Sequence, residues 1–247
     1  MPAAPAPPED LAPLARGAAA LGIALGAEQL AAFAAYRALL LEWNARFNLT
    51  AITDPAQIVT RHFLDSLTVA LGVPRARWAG APRLLDVGSG AGFPGLALAI
   101  AFPQWHVTAL EATGKKVTFL RHVAAALGLA RVRVLQGRAE ALAHAPAERA
   151  RYDVVAARAL AALPTLLEYC QPFARVGGVT ISSAPPRRAW LRGTGGRFAA
   201  VTQALIGPRH RILTVDADTS VERVIPQCCS GSSPRIVRRR CQPASPP

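Results

Sequence analysis

The sequence predicts an α/β fold with a doubly wound, mostly parallel sheet, preceded by an N-terminal helical subdomain. Three observations support this fold class. Residues 27–47 carry large apolar side chains at helical spacing. From residue 83 onward, short apolar strands alternate with helical segments, which is typical of a parallel sheet with right-handed crossovers. A glycine-rich loop follows the first strand, where such folds bind ligands.

The helical subdomain is assigned to residues 9–80. Within the helix predicted over residues 27–47, five large side chains recur at alternating steps of three and four, which places them on one face and indicates core packing. They are Phe33, Tyr36, Leu40, Trp43 and Phe47. A cap and a first-turn proline at Thr53-Asp54-Pro55 predict a second helix. It passes through Ile58, Phe63, Leu67 and Leu71 and ends at Gly72.

Residues 81–183 are assigned to the sheet domain. Its predicted strands cover residues 83–87, 106–110, 131–135, 152–156 and 179–182. Its predicted helices cover residues 94–102, 115–127 and 163–174, and the second has Val117, Leu120, Ala124 and Leu127 as core positions. Gly177 and Gly178 are predicted to turn the chain into the last strand.

Composition narrows the class of protein. The apolar runs are far shorter than the ~20 residues that a membrane-spanning helix needs. Residues 1–8 lack the basic start of a secretory signal and are interpreted as a disordered leader, so a cytoplasmic protein is expected. The four cysteines show no metal-ligand spacing, and neither disulfides nor a metal site is expected. The net charge of +13 suggests an anionic partner such as nucleic acid, although residues 181–247 carry +8 of it.

The loop in "LLDVGSGAGFPG", residues 84–95, allows two interpretations. Gly90, Gly92 and Gly95 fit the G-x-G-x-x-G pattern of dinucleotide binders, in which a pyrophosphate sits on a helix N-terminus. Asp86 with the glycines that come after it fits the acidic, glycine-spaced loop of enzymes that use S-adenosylmethionine (SAM). In both cases the glycines let the backbone approach the ligand closely.

Asp86 and the loop spacing favour SAM. SAM carries a cationic sulfonium and an ammonium but no phosphate, so a carboxylate at the end of the strand is expected to attract it and to repel a pyrophosphate. The dinucleotide pattern normally begins directly after the strand, whereas here Asp86-Val87-Gly88-Ser89 precedes Gly90. Glu111, at the end of the second strand, can accept hydrogen bonds from ribose hydroxyls of either cofactor.

Longer motifs resemble a known family. They are "LLEWNARFNLTAITDP", "RHFLDSL", "LLDVGSGAGFPGLALAIAFP", "LEATGKKVTFLRHVAAALGL", "GRAEAL" and "YDVVAARALAALPTLLEYCQPFARVGG". Together they resemble the RsmG (GidB) family of bacterial 16S rRNA guanine-N7 methyltransferases, over roughly residues 28–178. The resemblance implies a Rossmann-like SAM-dependent methyltransferase that methylates N7 of the guanine at position 527 in the 530 loop, within the small ribosomal subunit.

The resemblance also implies the site residues. The SAM contacts are Gly88, Gly90 and Phe93 in the loop, Glu111, Ala112 and Thr113 after the second strand, Ala139 and Glu140 after the third, and Arg158 after the fourth. Arg158 suits a SAM carboxylate or an RNA phosphate, and together with Phe93 it is a candidate to stack on the target base. His62 and Asp65 either approach the substrate or form a structural pair that joins the helical part to the sheet.

No catalytic residue is assigned, because guanine N7 has a lone pair and no proton, so catalysis by positioning is expected. A monomer is expected. Two other functions remain open, namely a non-catalytic rRNA-binding relic of this fold and an NAD-dependent oxidoreductase.

The resemblance fades after Gly178, and residues 184–247 are atypical. They are rich in Arg, Pro, Ser and Cys. One hypothesis is a disordered basic tail that grips rRNA. The other is altered reading-frame translation of a GC-rich gene, which neighbouring-frame translation of the DNA tests.

Overall fold

The computed structural model describes residues 9–158, 163–183, 202–205 and 211–214. Eight α-helices lie in these ranges: α1 Ala12–Ala20, α2 Ala27–Phe47, α3 Pro55–Ile58, α4 Asp65–Thr68, α5 Gly95–Ala101, α6 Gly114–Ala126, α7 Ala139–Leu142 and α8 Leu163–Cys170. The seven strands are β1 Arg83–Val87, β2 His106–Glu111, β3 Val132–Gln136, β4 Tyr152–Arg158, β5 Ala174–Ser183, β6 Thr202–Leu205 and β7 Arg211–Thr214.

Helix α2 covers the predicted residues, but its aromatic stripe is buried over only part of its length. Phe33, Tyr36 and Leu40 are buried, as predicted. Trp43 is half-buried against Phe119 of α6, and Phe47 is 38% exposed, so the prediction that Phe47 belongs to the core is wrong. The C-cap residue Asn48 adopts the left-handed conformation and ends the helix directly after Phe47.

The second predicted helix is a continuous helical stretch that changes its hydrogen-bonding pattern. Asp54 caps it by accepting the N–H of Gln57, and Pro55 comes next as the first residue, as predicted. Between α3 and α4, residues Val59–Leu64 form a π-helical segment, and a 3-10 turn over Val69–Gly72 ends the stretch. A π-helical segment is rare and often marks a functional site. It contains His62.

The sheet has the strand order β3-β2-β1-β4-β5-β7-β6. Strands β1 to β5 and β7 pair in parallel, and β6 runs antiparallel to β7. The predicted doubly wound, mostly parallel sheet is therefore confirmed. Strand order reverses beside β1, so the carboxyl ends of β1, β2 and β4 open a crevice there.

Two local predictions in the sheet domain are wrong. Gly177 and Gly178 lie inside β5 rather than before it, because the register between β4 and β5 shifts at Tyr152 and a bulge absorbs the glycines. In α6 the buried positions are Val117, Phe119, Leu120 and Val123, whereas Ala124 and Leu127 are half-buried. The helix packs on both β2 and α2, so it buries a broader face than the spacing suggested.

The helical segment and the sheet share one hydrophobic core. A single cluster of buried residues extends from Leu11 and Phe33 to Val107 and Ile181. At its centre, Phe63 packs against Phe33, Tyr36 and Phe93, with ring centroids 4.9 to 5.9 Å apart. Residues 9–80 therefore fold against the sheet and do not form a separate core.

Several predictions concern residues outside the described ranges. The predicted leader, residues 1–8, lies outside them, as does most of residues 184–247, of which the two strands β6 and β7 are described. Both hypotheses for that segment remain predictions. Among the described residues, no helix is long and apolar enough to cross a membrane.

Candidate functional site

A cavity of about 510 Å³ opens at the carboxyl ends of β1, β2 and β4. This size lies in the range typical of cofactor and small-molecule sites. Its lining includes most of the residues predicted from the sequence, namely His62, Gly88, Gly90, Phe93, Glu111, Ala112, Ala139, Glu140 and Arg158. Two predicted residues, Asp65 and Thr113, are not among the residues that line the cavity.

The glycine loop bends back tightly over the end of β1. Gly88, Gly90 and Gly92 have φ values of +71°, +58° and +96°, a conformation that a side chain would strain. The loop also uses its own N–H groups. Those of Gly88, Ser89, Gly90, Gly92, Phe93, Gly95 and Leu96 all donate to carbonyl or carboxylate oxygens of the protein.

Asp86 does not face the cavity, which corrects the expectation that its carboxylate attracts the cofactor. The side chain is fully buried under the loop, and its Oδ2 accepts the N–H of Gly95 at 2.9 Å. A Cβ at Gly95 would collide with this carboxylate, so the last glycine of the G-x-G-x-x-G pattern makes room for Asp86. Burial raises the pKa of Asp86 to about 6.

These contacts decide between the two interpretations of the loop. A dinucleotide places its pyrophosphate on free N–H groups at the start of the next helix. Here Gly95, the first residue of α5, already donates to Asp86, and Leu96 donates to Gly92. The loop therefore fits a cofactor without phosphates, such as SAM, and does not fit a dinucleotide.

Glu111, unlike Asp86, lines the cavity. It is buried at the end of β2, where its Oε2 accepts the N–H of Gly90 at 2.9 Å and its Oε1 accepts the N–H of Thr113 at 2.8 Å. Each oxygen keeps a lone pair for a ribose hydroxyl of a bound nucleoside. The backbone of Thr113 thus helps to orient the Glu111 carboxylate, although Thr113 itself does not line the cavity.

The end of β3 supplies the opposite wall. Gly137, Arg138, Ala139 and Glu140 line the cavity where the chain passes from β3 into α7. Ala139 is buried at the start of α7, and Glu140 is exposed. Their placement beside Glu111 fits the wall of a nucleoside-binding site.

Arg158 at the end of β4 links the sheet to the helical segment. Its NH1 donates to Asp65 Oδ2 at 2.9 Å and its NH2 donates to His62 Nδ1 at 3.1 Å. The guanidinium also lies 5.1 Å from the centre of the Phe93 ring. Arg158 lines the cavity as predicted. It also joins the sheet to the helical segment, and its partners in this contact, His62 and Asp65, could not be assigned to it from the sequence.

The same contacts fix the state of His62. A guanidinium has no acceptor, so Nδ1 of His62 must be unprotonated and accept from Arg158. Nε2 then carries the proton and donates to Thr50 Oγ1 at 2.8 Å. Burial and the charge of Arg158 lower the pKa of His62 to about 4, which agrees with a neutral ring.

Phe93 is only 4% exposed. Its ring stacks on His62 at a centroid distance of 4.5 Å and on Tyr36 at 5.3 Å. Most of the ring surface is therefore covered by protein, which argues against the expectation that a target base stacks on it. Phe93 instead fills the junction between the loop and the helical segment.

Several lining residues could not be predicted from the sequence, among them Thr50, Ser89, Arg138 and Tyr169. Lys116 of α6 also lines the cavity. Thr50 is held by Asn44, whose Oδ1 accepts the Thr50 N–H at 2.8 Å. The residues Asn48-Leu49-Thr50 indicate only that the preceding helix ends here. They do not indicate that Thr50 contacts His62 or lines a cavity.

Comparison with known proteins identifies relatives. Residues 29–182 match the GidB family model, described as rRNA small subunit methyltransferase G. The chain is 52% identical to ribosomal RNA small subunit methyltransferase G of Roseiflexus castenholzii over 166 residues, which cover 67% of this chain and 69% of that protein. It is 52% identical to the protein of the same name from Roseiflexus sp. strain RS-1, over 81% of this chain and 88% of the relative.

Solved structures with a lower similarity include the YcgJ protein from Bacillus subtilis, with a TM-score of 0.39 and 22% identity, covering 51% of this chain and 53% of that one. Another is precorrin-6y C5,15-methyltransferase from Geobacter metallireducens, with a TM-score of 0.38 and 15% identity, covering 47% of this chain and 59% of that one.

Proposed function

Because this chain belongs to the GidB family of rRNA small subunit methyltransferases, we infer that it is a SAM-dependent methyltransferase of 16S rRNA. We further propose that its target is N7 of the guanine at position 527 in the 530 loop. The resemblance to the RsmG family supports this choice of atom and position. The small ribosomal subunit or its rRNA is then the partner.

One observation carries the choice of cofactor. The N–H groups at the start of α5 are occupied by Asp86 and Gly92, while Glu111 presents its carboxylate to the cavity. This site has a polar group for a ribose, and the N–H groups of Gly95 and Leu96 are not free for a pyrophosphate. We assign Gly88, Gly90, Glu111, Ala112, Ala139 and Glu140 to the cofactor.

The cavity suits a reaction that needs no general base. SAM supplies an electrophilic methyl group, and N7 of guanine offers a lone pair without a proton. His62 cannot take up a proton at Nδ1 while Arg158 donates to that atom, and its Nε2 already carries one. The protein contributes by holding the two reactants in line, a contribution worth as much as ~7–11 kcal/mol.

The surroundings of the cavity fit a polyanionic substrate. Lys116, Arg138 and Arg158 lie in its wall, so the cavity that a target nucleotide must enter carries cationic side chains. Among the described residues, the exposed large apolar side chains are Phe47 and Val176, and these do not form a broad apolar patch. We propose a monomer that acts on ribosomal particles in the cytoplasm.

The decisive experiment measures methyl transfer. Small subunits from a strain that lacks methylation at this guanine are incubated with the purified chain and methyl-labelled SAM, and the labelled nucleotide is mapped in 16S rRNA. We expect N7-methylguanosine at position 527 only. Label at another nucleotide contradicts the proposed target, and absence of label contradicts the proposed activity for this chain.

Cofactor choice is tested separately by thermal unfolding. SAM at ~100 times its dissociation constant should stabilise the protein by ~2.7 kcal/mol, whereas NAD should leave the unfolding temperature unchanged. Stabilisation by NAD contradicts the interpretation of the glycine loop.

A further inference from the structure

The cavity has two chemically different halves. One half consists of the glycine loop, Glu111 and the residues that come after β3, and it fits the cofactor. The other half comes from the helical segment and includes Leu49, Thr50 and His62, with Arg158 beside them. If the first half holds SAM, the base that receives the methyl group must enter the second. A role for the second half in binding the base therefore rests on the proposed function.

In this second half, Thr50 is the end of a chain of hydrogen bonds with a fixed direction. Arg158 can only donate, so His62 accepts at Nδ1 and donates from Nε2 to Thr50 Oγ1. The backbone N–H of Ile52 also donates to Thr50 Oγ1, at 3.1 Å. Arg158 on the sheet therefore donates to His62, and His62 donates to the hydroxyl of Thr50, which is the last group in the chain.

A hydroxyl has two lone pairs and one proton. Both lone pairs of Thr50 Oγ1 are engaged by His62 and Ile52, so its proton remains as a donor. Within the part of the chain that the structure describes, no hydrogen bond uses this proton. Thr50 lines the cavity, and Asn44 fixes its backbone. The hydroxyl thus offers a preoriented donor to whatever occupies this half.

We propose that this half of the cavity is the binding subsite for the target purine, and that the Thr50 hydroxyl donates a hydrogen bond to its O6. Guanine presents N7 and O6 side by side on one edge, and both are acceptors. When N7 keeps its lone pair for the methyl group, O6 is the neighbouring atom available to a donor. Adenine presents an amino group at the same place, so two donors would face each other.

Thr50 therefore determines specificity for guanine at the methylated position. His62, Ile52 and Asn44 are positioning residues, because each of them holds Thr50 in place through a hydrogen bond. A site with a dedicated donor rejects a substrate without the matching acceptor, because a buried donor is left unpaired.

The test is a double-mutant cycle between the protein and the base. Small subunits are reconstituted with 16S rRNA carrying either guanine or 2,6-diaminopurine at the target position; the latter keeps N7 and replaces O6 by an amino group. Methyl transfer by the wild type and by Thr50→Val is measured on both. SAM affinity and unfolding are measured for each protein.

We expect kcat/KM of the wild type to fall about 10–100-fold on 2,6-diaminopurine. Thr50→Val should fall by a similar factor on guanine and show little further loss on the analogue. SAM affinity should stay unchanged. Thr50→Ser, which keeps the hydroxyl, should behave like the wild type. The matched control is Thr68→Val, whose hydroxyl donates to the Asp65 carbonyl away from the cavity, and it should leave the guanine preference intact.

Three results would overturn the proposal. In the first, Thr50→Val loses as large a factor in kcat/KM on going from guanine to 2,6-diaminopurine as the wild type does, so the two changes act independently. In the second, Thr50→Val binds SAM more weakly than the wild type. In the third, the wild type methylates both bases equally well. The last result decides the question even if Thr50→Val fails to fold. If the wild type transfers no methyl group to the guanine substrate, the proposed function itself has failed and this proposal falls with it.

Discussion

The hydroxyl of Tyr36 in α2 donates a hydrogen bond to the carbonyl of Ala91 in the glycine loop, at 2.5 Å. Both residues are buried, and burial raises the pKa of Tyr36 well above its usual value, so the hydroxyl keeps its proton. A Cβ at Gly92 would occupy the position of this hydroxyl. The helical segment thus fixes the shape of the loop that surrounds the cofactor.

We expect Tyr36→Phe to lower both stability and SAM affinity. The variant leaves the carbonyl of Ala91 buried without this donor, which costs about 1–3 kcal/mol. Because the carbonyl belongs to the loop, the loop should hold the cofactor less well. Urea unfolding measures the stability, and calorimetric titration measures the SAM affinity.

Tyr152→Phe is the matched control. Tyr152 is the first residue of β4, at the end of the strand opposite Arg158 and the cavity, and its hydroxyl donates to Glu148 and accepts from Arg133. This variant should also lose stability but should bind SAM like the wild type. Equal loss of SAM affinity in both variants would show that general destabilisation, and not the Tyr36 contact, weakens the site.

Arg158→Ala should unfold more easily as well as lose methyl transfer. The guanidinium is 17% exposed and pairs with an Asp65 side chain that is 8% exposed, while it also donates to His62. Breaking a largely buried ion pair costs about 3 kcal/mol. Urea unfolding and the rate of methyl transfer are the measurements.

Arg175→Ala serves as the comparison for Arg158→Ala. Arg175 is 42% exposed and pairs with Asp153, so its loss should cost no more than about 1 kcal/mol. If Arg158→Ala lowers the free energy of unfolding by no more than Arg175→Ala does, Arg158 does not link the sheet to the helical segment.

Glu111→Gln should weaken SAM binding about 10–100-fold. The carboxylate accepts one N–H at each oxygen, from Gly90 and from Thr113. The amide of glutamine has an NH₂ group in place of one of these oxygens. Because NH₂ is itself a donor, it repels the N–H group of the backbone that it faces, and the site is distorted. Calorimetric titration with SAM measures the effect.

Glu42→Gln, an identical change on the exposed side of α2, should leave the SAM affinity unaltered. An unaltered affinity of Glu111→Gln as well would rule out Glu111 as a cofactor contact.

Stability should depend on pH through His62. Its pKa is lowered from 6.5 to about 4 in the folded protein, so between these values the unfolded chain binds more protons. The contribution of neutral His62 to the stability of the fold is therefore complete above pH 6.5, and it is lost as the pH falls towards 4. The loss is on the order of 3 kcal/mol.

The contribution of His62 is isolated by comparing the wild type with His62→Asn from pH 4 to 7. Asp86, whose raised pKa acts in the opposite direction, is present in both proteins, so its effect cancels in the difference. The difference in the free energy of unfolding between the two proteins should shrink as the pH falls. A difference that is constant over this range would contradict a neutral, buried His62.

The local elements of this fold could be predicted from the sequence. The period of apolar residues located α2 and strands β1 to β4 to within about two residues, because these patterns depend on which face of an element is buried. Asp54 and Pro55 marked a helix start for the same local reason. The errors at Phe47 and at Gly177-Gly178 arose where a neighbouring element, rather than the local pattern, decides burial and pairing.

The site was only partly predictable. The glycine loop, Glu111 and Arg158 could be assigned to the ends of strands, and the longer motifs pointed to the family. The direction of the Asp86 side chain could not be predicted, because a carboxylate after a strand can point either into the cavity or under the loop. Thr50 went unnoticed because its role depends on His62 and Arg158, which are far away in the chain.

The sequence by itself thus determined the class of fold, the place of the cofactor loop and the family. Only the tertiary structure decided which polar groups remain free to bind a ligand. The contact between Arg158 and His62 joins residues 96 positions apart, and it fixes the proton of His62 and, through it, the free hydrogen of Thr50. A hydrogen bond satisfies a donor only when its partner arrives at the right distance and angle, and for such distant residues folding alone brings the partners together.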